Sequence, residues 1–548
     1  MRLMGAGTSV GWRSWIDRGR ILTFAAGVET VMNHRRTPSS SAASWILLAV
    51  VILGLLAWRL AVAWLMPVTL DEAYYFDWSR HLAWGYFDHP PGVALVGLGT
   101  LLEPGSAFAA RLGGLLAGAA TLLVLAVLYR RCGLRDPADL ALALVLAGAT
   151  LPGLAGGILV TPDTPLALGW ALALFEAERA LAGDRRRWVT AGLAVGLGLL
   201  GKYTMVLIGP VLLWAILRAD WRALRTPWPY LGALAALLVF LPNILWNASH
   251  DWVTMRFQFG HGFSTQVGDL ASVSAQTVER TGPESFGERL ESLLGYLGAQ
   301  LGFWGLIAPA LIWGLVARLR SRGGAAKPDT PALASHARPL LMAATFFPLG
   351  FFALVATFSQ VQANWPLMYL LSAAPLAVLW LRPVRVWVYA AAGVNLLLVT
   401  LYAYHSATAS LPLPDSQNRI LRETHGFAEL AQRVAELDGP VYVERYQTTA
   451  MLRFYRPDLD IDQWPGLTRP SEFVRRHMDE PVVPRGPFWL ITRGGPPPAI
   501  EGFAVERSRR FFDCAGKPLS ETETAPCRRP LHTWPAYRYR PQPSGDPT

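Results

Sequence analysis

WILLAVVILGLLAWRLAVAWLM, residues 45–66, is the stretch that decides the fold. Its one charge is Arg59, and it is long enough for a helix to cross roughly 30 Å of hydrocarbon. Runs of the same kind recur outward from it to about Leu401. The whole chain of 548 residues is 52% hydrophobic and only 16% charged. An average soluble domain carries no such apolar surplus. The composition therefore excludes a simple soluble enzyme and predicts an α-helical polytopic membrane protein.

The arginines assign the sides. Spans expected near 45–66, 106–128, 138–159, 165–181, 188–201, 204–217, 229–246, 296–317, 340–357, 366–381 and 384–404 leave loops of alternating charge. One set of loops holds Arg130, Arg131 and Arg135, then Arg185 to Arg187, then Arg218, Arg222 and Arg225, then Arg318, Arg320, Arg322, Lys327 and Arg338, then Arg382 and Arg385. The other set holds Asp71, Glu72, Asp88 and Asp163. Positive charge stays inside, so about eleven spans run from a cytoplasmic N-terminus to a C-terminus outside. The basic balance, 49 Lys and Arg against 39 Asp and Glu, is thereby topological, and no nucleic-acid partner is expected. The surroundings are a lipid bilayer, the cell (inner) membrane.

Three parts follow. Residues 1–43 form a cytoplasmic segment, and Met32 offers a second start that would make 1–31 an extension. Residues 44–405 form the membrane domain, with outer loops 67–105 and 247–295. Residues 406–548 turn rich in Pro, Arg and Asp, with short strand-like segments between turns, and predict a small extracytoplasmic α/β domain. Cys514 and Cys527 lie in that domain, in an oxidising compartment where a disulfide can persist. Cys132 faces the cytoplasm.

The loop after the first span reads LDEAYYFDWSRHLAWGYFDHPPG, residues 70–92. Acids, histidines and aromatic rings concentrate there at the membrane surface. On a helix, Asp71, Tyr75 and Trp78 share a face, setting a carboxylate beside flat rings of the kind that stack on sugars. An interfacial aromatic belt accounts for the rings, but not for two adjacent acids, Asp88-His89 and a double proline together. Lys202, one of three lysines, sits between two apolar spans and needs an anion, with phosphate a natural one. Asp163 occupies a very short outer loop. Weaker candidates are His250, Asp251, Trp252, Arg256 and His261, and Gln360, Gln362, Asn364 and Trp365.

The first-loop motif, supported by Asp163 and Lys202, resembles the integral-membrane glycosyltransferases of the GT-C superfamily. Within it, the chain is similar to the bacterial members of glycosyltransferase family 39, to dolichyl-phosphate-mannose-protein mannosyltransferase-like proteins and to the aminoarabinose transferases that modify lipid A. The resemblance covers about 45–405, and Glu444 to Tyr455 looks like the start of their soluble domain. It implies a polyprenyl-phosphate-linked sugar donor, an acceptor on the outer membrane face, and inversion at the anomeric carbon. The family's catalytic acid maps to Asp71. Where the aminoarabinose transferases read Tyr-Phe-Glu-Lys-Pro-Pro, this chain reads Tyr86-Phe87-Asp88-His89-Pro90-Pro91. A titratable imidazole thus replaces a permanent cation, which leaves the phosphate contact there, the transferred sugar and a divalent metal ion at Asp88 and His89 all open.

Sugar transfer from a lipid phosphate needs a base, neutralisation of the departing phosphate and a surface for the ring. Asp71 is the expected base, with Glu72 and Asp163 orienting the acceptor. Lys202, His89 and Arg80 would meet the phosphate, while Tyr74, Tyr75, Trp78, Trp84 and Asp88 would line the sugar and acceptor path. The acceptor is an envelope glycolipid such as lipid A or lipopolysaccharide, another glycan, or a protein hydroxyl. A transporter or flippase of a lipid-linked saccharide is the competing reading, but its halves should show repeat symmetry, and the acids here cluster on one face.

Overall fold

The structure is a computed structural model that describes residues 39–263, 283, 285–320, 333–359, 361–414, 418–477 and 484–542. The N-terminal extension, Gln360 and the side chain of His261 lie outside the described residues.

The membrane half is a succession of helices. In chain order they are α1 (Ser39–Leu65), α2 (Leu70–Arg80), α3 (Gly92–Val96), α4 (Ala107–Arg131), α5 (Pro137–Gly148), α6 (Leu151–Ala155), α7 (Asp163–Leu181) and α8 (Arg187–Gly201). There follow α9 (Ile208–Ala219), α10 (Trp228–Ser249), α11 (Val253–Phe263), α12 (Phe286–Phe303), α13 (Ala308–Arg320), α14 (Ala337–Ala356), α15 (Tyr369–Leu381) and α16 (Arg385–Thr408). Large apolar side chains such as Leu53, Trp64, Leu116, Leu238 and Trp387 point outward from these helices, an exposed apolar belt of the kind that marks a membrane-facing surface.

Every expected span coincides with helix, but not every one is a full span. Among the described residues, five helices are long and apolar enough to cross a membrane, or six if one bent pair counts as a span. The segment expected as one span near 296–317 is that pair, α12 and α13, bent by 98°. Gly305 turns the chain there with a left-handed φ of 57°, and a Cβ on it would meet the Asn395 amide oxygen at 2.4 Å. The segment near 138–159 is likewise broken, with Thr150 capping α6 just after α5 ends.

The C-terminal part adds α17 (Arg419–Thr424), α18 (Phe427–Val434), α19 (Tyr446–Tyr455) and α20 (Glu472–Arg476) around a six-stranded mixed sheet. Its strands are β1 (Val441–Val443), β2 (Ile461–Gln463), β3 (Phe488–Ile491), β4 (Phe503–Asp513), β5 (Ser520–Glu521) and β6 (His532–Pro541), in spatial order β2-β1-β3-β6-β4-β5. β1 runs parallel to both β2 and β3, whereas β6 lies antiparallel between β3 and β4. A disulfide joins Cys514, just past β4, to Cys527.

One apolar core crosses the boundary between the halves. Ala73, Phe76 and Trp78 of α2 pack in the same cluster as Phe427, Met451, Phe454 and Trp534. Burying each such side chain stabilises by roughly 1.5–3 kcal/mol, so α2 is a shared element rather than a loose loop. The first-loop helix and the sheet domain therefore lie on the same face of the membrane part.

Candidate active site

Local sequence explains why residues 70–80 are helical. Thr69 is the N-cap, its hydroxyl accepting from the Glu72 N–H while the Glu72 carboxylate accepts from the Thr69 N–H, a reciprocal capping box. Asp71 and Glu72 also place negative charge on the positive end of the helix.

Those two neighbouring acids have opposite fates. Glu72 is fully buried, and Arg111 of α4 donates to both its oxygens, at 2.8 and 2.6 Å. The Val160 N–H adds a third bond at 3.1 Å. Arg111 also satisfies the carbonyls of Ala63, Met66 and Pro67, where α1 ends. Glu72 is thus an anchor that fixes α2 to α1 and α4, and the expected catalytic role for it is corrected.

Asp71, one residue earlier, is open to solvent and makes no hydrogen bond or ion pair among the described residues. Its carboxyl is nevertheless pushed up to about 6, first by desolvation from the surrounding protein and then by Glu423 and Asp88, with Arg469 and Arg419 opposing. Such a group, raised toward neutrality and unpaired, has the properties of a general base. Tyr75, a turn further along α2, is half-buried beside it and keeps its ring 6.1 Å from that of His89.

The remaining first-loop acids bind the sheet domain. Asp77 accepts from Arg453 Nε at 2.8 Å and Arg476 Nη1 at 2.7 Å. Burial alone would raise its carboxyl, but the two guanidiniums outweigh burial and hold it below the usual range. Asp88 accepts from the Tyr74 hydroxyl and, at 2.8 Å, from Arg469 Nη1. Arg469 in turn stacks over the Tyr446 ring at 4.1 Å. Glu472 accepts from the Phe87 N–H at 2.9 Å, and the Glu472 N–H donates to the Tyr74 hydroxyl.

A second cluster forms where three loops meet. Gly92 packs so tightly on α8 that a Cβ would lie 2.7 Å from the Leu200 carbonyl oxygen, and one on Gly201 would lie 2.8 Å from the Leu166 nitrogen. These close approaches bring the Pro90-Pro91 turn and the start of α7 against the end of α8. Lys202 follows Gly201 there and donates to both Asp163 oxygens, at 2.8 and 3.0 Å, with Asn364 at 3.5 Å from the same carboxylate. The anion that Lys202 requires is thus Asp163 itself, and Asp163 orients the lysine.

Other expectations need correction. Trp78 is completely buried, stacked on Tyr86 at 4.3 Å, and Tyr74 is 2% exposed, so neither presents a face to a sugar. Arg80 faces the sheet domain and donates to the Arg453 carbonyl at 2.9 Å, away from any phosphate role beside Lys202. Asp88 is an internal tie rather than a lining residue, and both its oxygens are taken by Tyr74 and Arg469. That donor set does not fit a metal ion, since a guanidinium already neutralises the carboxylate; among the described residues no group of three or more His, Cys, Asp and Glu side chains could hold one. His89 meets the Gln258 amide at 3.3 Å. Trp84 remains 55% exposed beside α10, its carbonyl accepting from Asn243 at 2.7 Å. Among the weaker candidates, His250 stacks on Trp246 and caps α10, and Asn364 reaches the cluster.

Sequence reasoning missed Arg111, Arg469 and Glu472. Arg111 had a signal, a lone charge near the start of an apolar span that requires a buried acid. Arg469 and Glu472 had none, because their partners lie 381 and 385 residues away.

Comparison with known proteins falls in line with this geometry. Residues 88–246 match the family model described as dolichyl-phosphate-mannose-protein mannosyltransferase. Over 342 residues the chain is 27% identical to the lipid A galacturonosyltransferase RgtD of Rhizobium johnstonii, covering 60% of this chain and 64% of that one. Over 223 residues it is 32% identical to the lipopolysaccharide core galacturonosyltransferase RgtA of the same organism, covering 39% and 43%. The matched stretches thus span less than two thirds of either relative. Among solved structures, ArnT from Cupriavidus metallidurans in its apo state superposes with a TM-score of 0.58 at 17% identity, covering 91% of this chain and 98% of that one. The resemblance to the GT-C membrane glycosyltransferases that the first loop carries is therefore borne out, in sequence over part of the chain and in fold over nearly all of it.

Proposed function

We propose that the chain is a polyprenyl-phosphate-sugar-dependent glycosyltransferase that moves a hexosyl or pentosyl unit to an envelope glycolipid of the lipid A or lipopolysaccharide class. In this reading about eleven helical segments cross or enter the cell (inner) membrane, with the N-terminus cytoplasmic and the sheet domain and first loop extracytoplasmic. The acceptor class follows the names of RgtD and RgtA, and the donor class is that of the ArnT structure bound to undecaprenyl phosphate.

The observation that carries the proposal is Asp71, an accessible carboxylate that makes no hydrogen bond or ion pair among the described residues and is raised to about 6 by the protein around it. The acceptor hydroxyl gives its proton to Asp71 as its oxygen bonds to the anomeric carbon. The bond from that carbon to the phosphate oxygen breaks, and polyprenyl phosphate leaves with the electron pair. Lys202 assists the departure: an ammonium has three N–H donors, Asp163 engages the lysine with two oxygens, and a donor remains for a phosphate oxygen. Glu72, Asp163, Asp88 and Glu423 are each paired with a cation, so among the described residues no second unpaired carboxylate stands beside Asp71 to form a covalent sugar intermediate. A single displacement inverts the anomeric centre.

The test is transfer of radiolabelled sugar from membrane polyprenyl phosphates to fractionated envelope material. Label is expected in a glycolipid fraction for wild type, and in none for Asp71→Asn at matched expression. Label in a glycan-polymer or protein fraction instead would refute the acceptor class, and unchanged labelling by Asp71→Asn would refute the site.

A further inference from the structure

A hollow of about 280 Å³ opens between the end of α2 and the sheet domain, on the side of α2 opposite in sequence to Asp71. Asp71 and His81, which lines the hollow, are ten positions apart, or ~15 Å along a helix axis. The two places are too far apart for one sugar ring to touch both. The reaction described above makes no use of this hollow.

Its chemistry is that of a carbohydrate site. Arg453 and Arg476 stand in its wall, held in position because Asp77 accepts from each of them. Nη2 of Arg476 is buried and has no hydrogen-bond partner, a donor whose desolvation is uncompensated. Opposite, Asp460 is exposed and its carboxylate makes no hydrogen bond among the described residues, while Asp462 holds the His477 ring by a 2.7 Å contact to Nε2. Tyr442 and Phe473 border the hollow but are themselves buried, with the Arg453 and Arg476 guanidiniums 5.6 and 5.8 Å from the Phe473 ring. Carboxylates that accept from hydroxyls and guanidiniums that donate to them match the hydrogen-bonding pattern of a polyhydroxylated ring. A second hollow of about 270 Å³ shares Pro440, Val441 and Asp460 with the first and is walled by Val434, Leu437 and Leu459. The two hollows adjoin along these shared residues as one groove.

We infer that this groove binds a saccharide portion of the acceptor glycan remote from the hydroxyl being glycosylated, so that the sheet domain holds the acceptor while Asp71 acts on its other part. The inference rests on the glycosyltransferase reading and adds to it an oligosaccharide acceptor gripped at two places. Because Arg453 and Arg476 tie the groove to α2 through Asp77, occupation of the groove and placement of Asp71 share one rigid element.

The probe is the delipidated oligosaccharide released from lipopolysaccharide by mild acid, titrated calorimetrically into the purified full-length protein in detergent. Wild type is expected to bind it, and Asp460→Asn and His477→Ala, both at exposed positions, to bind about tenfold more weakly, the loss of one charged hydrogen bond. With the intact glycolipid as acceptor, the same variants are expected to raise KM by a similar factor and to keep kcat. Absence of binding to wild type at millimolar probe, equal binding by the variants, or a fall in kcat with KM unchanged would each overturn the groove assignment. Failure of the underlying reading is separately visible, as transfer that Asp71→Asn does not reduce.

Discussion

Asp71 and Glu72 are chemically near-identical neighbours, and a guanidinium on one of them separates their functions. Arg111 takes up Glu72, leaving Asp71 as the carboxylate that faces solvent and titrates near 6. A base must be ionised to accept a proton, so kcat/KM is expected to fall as pH drops through about 6, tenfold per unit below it, and to level off above. Replacing it, Asp71→Asn, should remove the general-base contribution of about 10²–10⁴ in rate. For Glu72 the expected loss is of stability. Glu72→Ala strands the fully buried Arg111 cation and should cost about 3–5 kcal/mol, read as a lowered Tm of the purified protein. A variant with wild-type Tm would contradict the anchor. Sequence alone picked Asp71 as the base but left Glu72 beside it to orient the acceptor, because what takes Glu72 away sits 39 residues on, in α4.

At the scale of elements, α2 works as a latch between membrane helices and sheet domain. Arg111 fixes its start, and Arg453 and Arg476 fix its end through Asp77. Asp77 is held below the usual carboxylate range, so its stabilising pairing is complete above its unfolded value of about 3.9 and is lost only as pH falls through the lower native value. The latch therefore stays closed through the range in which Asp71 titrates, and the pH dependence of transfer belongs to Asp71. Asp77→Asn leaves two partly buried guanidiniums without their anion, which should weaken the docking by about 2–5 kcal/mol. Hydrogen exchange of the α2 amides is the measurement, and protection equal to wild type would show that α2 is held by its apolar face alone. The helical spacing of Asp71, Tyr75 and Trp78 in α2 was legible in the sequence, as were its acids. Its burial was not, since Tyr74 and Trp78, two of the rings expected along the sugar path, are core against a domain more than 300 residues downstream. Likewise, apolar length marked each membrane segment, while the break at Gly305 depends on Asn395 reaching across from α16.

Across the whole molecule, the proposed function divides between a helical part that holds Lys202 and Asp163 and a sheet domain whose Arg469 acts on Asp71. The sheet domain must therefore stay folded for transfer to occur. Its disulfide, Cys514–Cys527, closes a short loop with a sequence separation of 13, and such a link contributes about 3 kcal/mol. Reductant is expected to lower the unfolding temperature of the sheet domain and to reduce transfer in parallel; reduction without change in either would place the disulfide outside the functional structure. Apolar runs and the change of composition after about residue 405 made a helical part and a sheet part readable, because both act through local chain composition. The site that joins the parts was only half readable, because its ties at Asp77 and Asp88 pair residues hundreds of positions apart. The most direct test of the account is the rate of sugar transfer by the purified protein from a polyprenyl-phosphate donor, measured from pH 5 to 8 for wild type and Asp71→Asn. The account expects a wild-type rate that rises through an apparent pKa near 6 and a variant that is nearly inactive at every pH. A variant as active as wild type, or a wild-type rate indifferent to pH across that range, would contradict it.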